Sequence, residues 1–268
     1  MFKHILVAVD FSPAWPLLQA RLKVLTDWGT ERVTLVYVLN SRYPATPEET
    51  HRTHYEAKLK ELAGDLAAPG LTINTEVRSG EPGAVLNKAA HELSADLLLM
   101  GCSGHNRLHE FFLGSTALDA ARLTQQPLWL EPVADELIGA HSKLLMLATD
   151  GSDAAEGAET LTEQLAPHYQ RCLAVTATCA SEGCDREIAD TQHHLDAIAK
   201  RIKNLETRIL DGDPRRAIVE EAKNERSDLI VIGKRGRNRI QELLLGSTAE
   251  AIARDAHCPV LVVPGEAS

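Results

Sequence analysis

Short solid runs of apolar residues alternate along this chain with longer stretches where apolar positions return every three or four residues. The solid runs have strand length and the periodic stretches have helix length. In the first half, strands are predicted over 5–9, 33–39, 72–78, 97–100 and 128–130. Helices are predicted over 13–28, 56–66, 82–93 and 115–123. Pro82 stands where a first helical residue needs no N–H donor. The same order returns from Leu144 to Val263. Runs such as LLLM (97–100) and LIVI (229–232) are apolar at every position. They suit central parallel strands, which are covered on both faces. Strands alternating with helices require crossover connections and therefore parallel sheets.

The recurrence is literal in places. GCSGHNRLHEFFLGST (101–116) and GKRGRNRIQELLLGST (233–248) share three glycine offsets and a Gly-Ser-Thr ending. They lie 132 positions apart, as do Gly80-Glu81-Pro82 and Gly212-Asp213-Pro214. HILVAVD, ending at Asp10, matches LLMLATD, ending at Asp150, with an offset of 140. The first copy is therefore about eight residues longer, and the polar segment 41–54 is the expected place. A period this long means two domains rather than a solenoid. The expectation is α/β: two tandem doubly wound domains, 1–132 and 141–268, each with a five-stranded parallel sheet flanked by helices. The linker is about 131–143. In such sheets ligands bind beyond the strand carboxyl ends, where the strand order reverses.

Composition narrows the function. A formal net charge of −10 argues against a general nucleic-acid surface or an anionic-membrane surface. It leaves room for one anionic ligand in a local pocket. No segment reaches eighteen uninterrupted apolar residues, and the amino-terminal run is too short for a signal peptide. The cysteines number five and contain no CxxC pair, so they form no disulfide framework. The chain reads as soluble and cytoplasmic.

The candidate chemistry sits in the glycine stretches. Gly101, Gly104 and Gly114 in one copy, and Gly233, Gly236 and Gly246 in the other, let backbone N–H groups approach a phosphate without a Cβ in the way. Ser115, Thr116, Ser247 and Thr248 open helices, offering hydroxyls and the positive end of a helix dipole. Ser115 is also a candidate helix cap. The spacing is neither a P-loop nor a dinucleotide fingerprint. The bland alternative makes the glycines turn residues, and Asp10 and Asp150 helix caps.

The pattern G-x2-G-x9-G-[ST] after a buried strand, with Asp ending the first strand, resembles the ATP-binding branch of the universal stress protein family. LVAVDFS, LLMLATDGS and CPVLVVP are similar to that family too. The resemblance covers nearly the whole chain as two copies. It implies ATP, or AMP or ADP, as ligand, with Mg2+ as an accompanying option. It places Asp10 and Asp150 beside the nucleoside and Val38 at the adenine edge, with Ala177 as its counterpart. The glycines, serines and threonines above fall at the phosphates. The resemblance further implies an intramolecular pseudo-dimer of the two domains, with a homodimer as an alternative.

The copies differ in charge. Lys234, Arg235 and Arg237 stand where the first copy has Cys102, Ser103 and His105. Cations favour triphosphate, so tighter binding is expected in the second half. Cys172, Cys179, Cys184, His193 and His194 form a loose zinc alternative whose spacing is wider than structural sites use. No catalytic metal motif or placed general base accompanies the cradle. The expected role is regulatory or protective, with at most weak ATPase activity. The alternatives are a slow ATPase or phosphotransferase, or a scaffold with one or both pockets empty.

Overall fold

The computed structural model describes residues 1–40, 48–102, 113–132, 143–178, 185–236 and 245–265. It divides into two compact units, 1–138 and 139–268. The first unit runs β1 (His4–Ala8), α1 (Trp15–Asp27), β2 (Arg32–Asn40), α2 (Glu48–Asp65), β3 (Thr72–Gly80), α3 (Pro82–Glu92), β4 (Leu97–Gly101), α4 (Ser115–Leu123) and β5 (Leu128–Glu131). The second repeats it as β6 (Leu144–Ala148), α5 (Glu156–Leu165), β7 (Arg171–Thr178), α6 (Asp185–Arg201), β8 (Leu205–Asp211), α7 (Pro214–Asn224), β9 (Leu229–Gly233), α8 (Ser247–Asp255) and β10 (Val260–Val263).

Within the first unit the strand order is β3-β2-β1-β4-β5, and within the second it is β8-β7-β6-β9-β10. Every pairing inside these orders is parallel. Each chain starts at the sheet centre, winds outward, then returns to the other side. Right-handed crossovers therefore put α1 and α2 on one face of the first sheet and α3 and α4 on the other. The Asn87 side chain of α3 donates to the Ala120 carbonyl of α4 at 3.1 Å, across that second face. In the second unit α7 and α8 pack together in the same way. The order reverses between β1 and β4, and between β6 and β9. Their carboxyl ends mark the crevice of each unit.

The apolar runs are the cores, as their solid patterning requires. Leu97, Leu98 and Leu99 are fully buried, as are Leu229, Ile230 and Val231. One carboxylate per unit ties the centre together. Asp96 Oδ2, just before β4, accepts the backbone N–H groups of Lys3 and His4, both at 2.8 Å. Asp228 does the same for Lys143 and Leu144, at 3.0 and 2.8 Å. This explains why Asp96 and Asp228 recur in the two copies.

Register refines the comparison of copies. His4 lies opposite Arg32 and Leu144 opposite Arg171, so Val38 and Ala177 occupy the same ladder position. Most of the extra length in the first copy therefore falls between β2 and β3. Part of it is helix: α2 begins at Glu48, eight residues before the periodicity suggests. The missed signal is Pro47-Glu48-Glu49, a proline and acidic residues at a helix start.

Candidate functional site

In the second unit the β6–α5 turn is shaped by Asp150. Its Oδ1 accepts the Ser152 N–H at 3.0 Å and the Ser152 hydroxyl at 2.6 Å. Asp10 repeats this, accepting the Ser12 N–H at 2.9 Å. Neither aspartate is a helix cap, contrary to the bland alternative, because the caps are Ala14 and Ala155. The aspartates brace the turns that precede the helices. That use occupies Oδ1 and turns Oδ2 of Asp150 toward the glycine loop.

The loop arrives from β9. A Cβ on Gly236 would stand 2.5 Å from Asp150 Oδ2, and one on Gly233 would stand 3.0 Å from the carbonyls of Ala154 and Arg235. Only glycine permits this close approach. The chain then returns to α8, where the Gly246 N–H donates to the Lys234 carbonyl at 2.9 Å. Gly246 is the N-cap, extended at φ −62° and ψ 144°, and no side chain caps the helix. The first-turn N–H groups of α8 therefore have no capping side chain competing for them. Ser247 is the first helical residue, with its hydroxyl outside the capping role.

These parts enclose one cavity of about 390 Å³. Asp150, Ala177, Gly233, Arg235, Gly236, Gly246, Ser247 and Thr248 all line it. Thus Asp150, Ala177, Arg235 and the second-copy glycines and hydroxyls converge on a single space, and Arg237 lies outside the described residues. Its apolar wall includes Ile218, Ile232 and Leu245. Sequence reasoning missed this wall because it comes from separate elements, each reading as ordinary core. Lys234 does not line the cavity. Its backbone lies on the loop but the residue is 5% exposed, and burial and the neighbouring Arg235 push its ammonium down to about 8. The charge difference between the copies therefore rests, at the described cavity wall, on Arg235.

The first unit follows the same path. Gly114 is the α4 N-cap at φ −61° and ψ 153°, again with no capping side chain, so Ser115 is not the cap. The Gly114 N–H donates to the Cys102 carbonyl at 2.8 Å, and Leu118 N–H closes the first turn on Gly114. Ser115 and Thr116 open the helix as Ser247 and Thr248 do. Gly101 is looser than Gly233, for a Cβ there would meet only Ala14 at 3.5 Å. Gly104 and His105 lie outside the described residues. Burial, helped by Glu131, pushes the Cys102 thiol up, which disfavours a reactive thiolate. Asp10 and Val38 stand at the ends of β1 and β2.

The cysteines and histidines of the zinc alternative do not assemble among the described residues. Cys172 is buried within β7 and His193 and His194 lie on α6, while Cys179 and Cys184 fall outside the description. No group of three His, Cys, Asp or Glu side chains suited to a metal occurs among the described residues. No described helix is long and apolar enough to cross a membrane.

A glycine-lined space beside a helix N-terminus, with one guanidinium at its wall and an apolar flank, fits a phosphorylated ligand with an apolar base. Residues 1–131 and 142–264 match the model described as the Universal stress protein family. A universal stress protein of Mycolicibacterium smegmatis is 27% identical over 260 residues, covering 86% of each chain. Universal stress protein MJ0531 of Methanocaldococcus jannaschii is 48% identical over 59 residues, 22% of this chain and 35% of that protein. The matched part thus spans about a third of that relative. A crystal structure of a universal stress protein from Archaeoglobus fulgidus superposes with a TM-score of 0.79 at 20% identity, covering 98% of this chain and 99% of that one.

Proposed function

We propose, from the premise that this chain belongs to the universal stress protein family and so to stress response, that it acts by holding an adenine nucleotide in the crevice of its second unit. The observation that carries the reading is the convergence of Asp150, Ala177 and the glycine loop on one cavity with the start of α8. The Ser247 and Thr248 hydroxyls and the first N–H groups of α8 would hold phosphate oxygens, with Arg235 adding charge. Asp150 would accept from the ribose hydroxyls, and Ala177 would border the base. ATP is the favoured ligand, with AMP and ADP as variants. Mg2+ would travel with the phosphates, since such ions keep most of their own water. The role is that of a cytoplasmic regulator whose state follows occupancy. A general base placed beside the phosphate end would favour an enzyme, and the carboxylate of the described cavity wall, Asp150, is instead assigned here to the ribose.

The test is direct. The purified protein is denatured, released nucleotide is identified by mass spectrometry, and ATP turnover is followed. Bound adenine nucleotide with no sustained turnover is the expected result. Asp150→Ala and Gly246→Val should each weaken ATP binding at least tenfold. Sustained turnover abolished by both variants would replace this reading with an ATPase. Absence of nucleotide and of measurable binding would leave an interaction scaffold.

A further inference from the structure

Asp150 has another space behind it. A second cavity of about 350 Å³ is lined by Thr149, Asp150, Gly151, Thr176, Thr191 and His194, among others. It shares Thr149, Asp150 and Thr176 with the first. Bonded to two residues of its wall is Glu159 of α5, only 3% exposed. A buried carboxylate needs donors and, when charged, a counter-charge. Glu159 Oε1 accepts the Thr149 hydroxyl at 2.6 Å and lies 2.8 Å from His194 Nε2. The Thr149 oxygen in turn accepts the Gly151 N–H at 3.1 Å. The His194 ring lies so close over Gly151 that a Cβ there would meet Cδ2 at 3.1 Å. Gly151 is left-handed at φ 70°, where glycine is the natural residue. Both neighbours of Asp150 are thus held by one relay that ends on the imidazole of α6.

The first unit lacks this relay. Val9, Phe11 and Gln19 stand at the positions of Thr149, Gly151 and Glu159. Phe11, also left-handed at φ 55°, packs instead against Tyr37 and Tyr55 with ring centres 5.1 and 5.6 Å away. One turn is fixed by an aromatic cluster, on whose Tyr55 the rings of His51 and His54 also lie, at 6.4 and 5.2 Å between centres. The other is fixed by an imidazole and a carboxylate.

We infer that Glu159 and His194 are positioning residues for Asp150, forming a proton-sensitive clasp by which α6 tunes the ligand site of the second unit. The inference rests on the nucleotide reading for its output, though not for its geometry. The titratable groups that bond to His194 or line this cavity with it are Glu159 from α5, Asp150 from the turn, and Asp190 and His193 from α6 itself. Three of the four are carboxylates. Protonated His194 supplies the counter-charge that buried Glu159 lacks, and the relay grips Thr149 and Gly151 most firmly. Deprotonation removes that charge while leaving a weaker neutral hydrogen bond. Histidine is the side chain whose charge ordinarily changes between about pH 5 and 8. The grip is therefore present in acid and is lost as pH rises through the titration of His194.

The full chain is tested as wild type, His194→Gln and Glu159→Gln, with ATP as the probe. Affinity is measured by calorimetry at several pH values from about 6 to 8. Comparison with His194→Gln cancels the titration of ATP itself. Wild type should lose affinity several-fold more steeply than either variant as pH rises. Glu159→Gln, which keeps the hydrogen-bond shape, should fall near the wild-type value at high pH. A merely structural role would lower affinity equally at every pH, and parallel profiles for wild type and His194→Gln overturn the inference. The His194 ring titration is followed by NMR in the same samples. If ATP fails to bind at any pH, the nucleotide reading falls and this titration decides the clasp. A midpoint that drops in Glu159→Gln upholds it, and an unmoved midpoint sinks it.

Discussion

Arg21 and Glu131 are both buried and meet through two hydrogen bonds, Nε to Oε2 at 2.9 Å and an Nη to Oε1 at 3.2 Å. The Trp129 indole N–H also donates to Glu131, at 2.8 Å, and the Arg21 guanidinium stands 5.0 Å from the Trp129 ring centre. In the second copy the same three positions are Leu161, Val263 and Leu261, all buried. The chain thus carries two solutions to one site, one polar and fully partnered, one apolar. Breaking a buried pair is costly because it strands a charge, whereas replacing the whole set by apolar groups is often neutral. Glu131→Ala should therefore destabilise the first unit by about 3–5 kcal/mol. The triple Arg21→Leu, Trp129→Leu, Glu131→Val should cost less than that single change although it removes more atoms. Urea denaturation of the full chain compares them, and a triple variant worse than Glu131→Ala refutes the account. Trp129 is fully buried. Its partnership with Arg21 was not legible, because residues 21 and 129 are joined only by the fold.

At the scale of elements, the strand runs and helix order were legible because buried parallel strands and amphipathic helices leave periodic marks. The start of α2 was not, since its first turns are polar and carry no apolar face to read. The glycine loop shows the same division. Its spacing announced a cradle, but the reason for each glycine required the return of β6 beside β9. Gly236 is confined by a carboxylate oxygen contributed from another strand end. Gly236→Ala should drive Asp150 aside and weaken ATP binding at least tenfold. The methyl meets the end of a side chain, which can turn aside without moving backbone, so the urea midpoint should move little. Gly101→Ala makes the matching control, since its Cβ would meet only Ala14 at ordinary contact distance. Calorimetry and denaturation on both variants separate ligand geometry from folding. Equal affinity for Gly236→Ala and wild type would show that Asp150 does not contribute through its present position.

Across the whole molecule the two units share one plan and differ in furnishing. The repeat itself was legible from the offsets of 132 and 140, and register has since fixed how β2 matches β7. The difference in furnishing was only half legible. The second loop was read as carrying extra cations, yet Lys234 is buried away from the cavity and Arg235 alone is described at its wall. One guanidinium on a phosphate contributes on the order of 1.5–3 kcal/mol when well partnered, which corresponds to roughly ten- to a hundredfold in affinity. The first loop has Cys102 at the Lys234 position, a half-buried cysteine whose thiol pKa is pushed up, and Ser103 at that of Arg235. The second unit should therefore be the tighter ATP site in the intact chain. Gly246→Val, which crowds the turn into α8 where the Lys234 carbonyl already lies 3.3 Å from a would-be Cβ, should abolish the high-affinity phase in calorimetry. Gly114→Val should leave that phase intact and remove at most a weaker one. Arg235→Ser, which gives the second loop the residue of the first, should bring the two phases together. If Gly114→Val removes the tighter phase instead, the ranking of the units is reversed, and the guanidinium at the second wall does not set it.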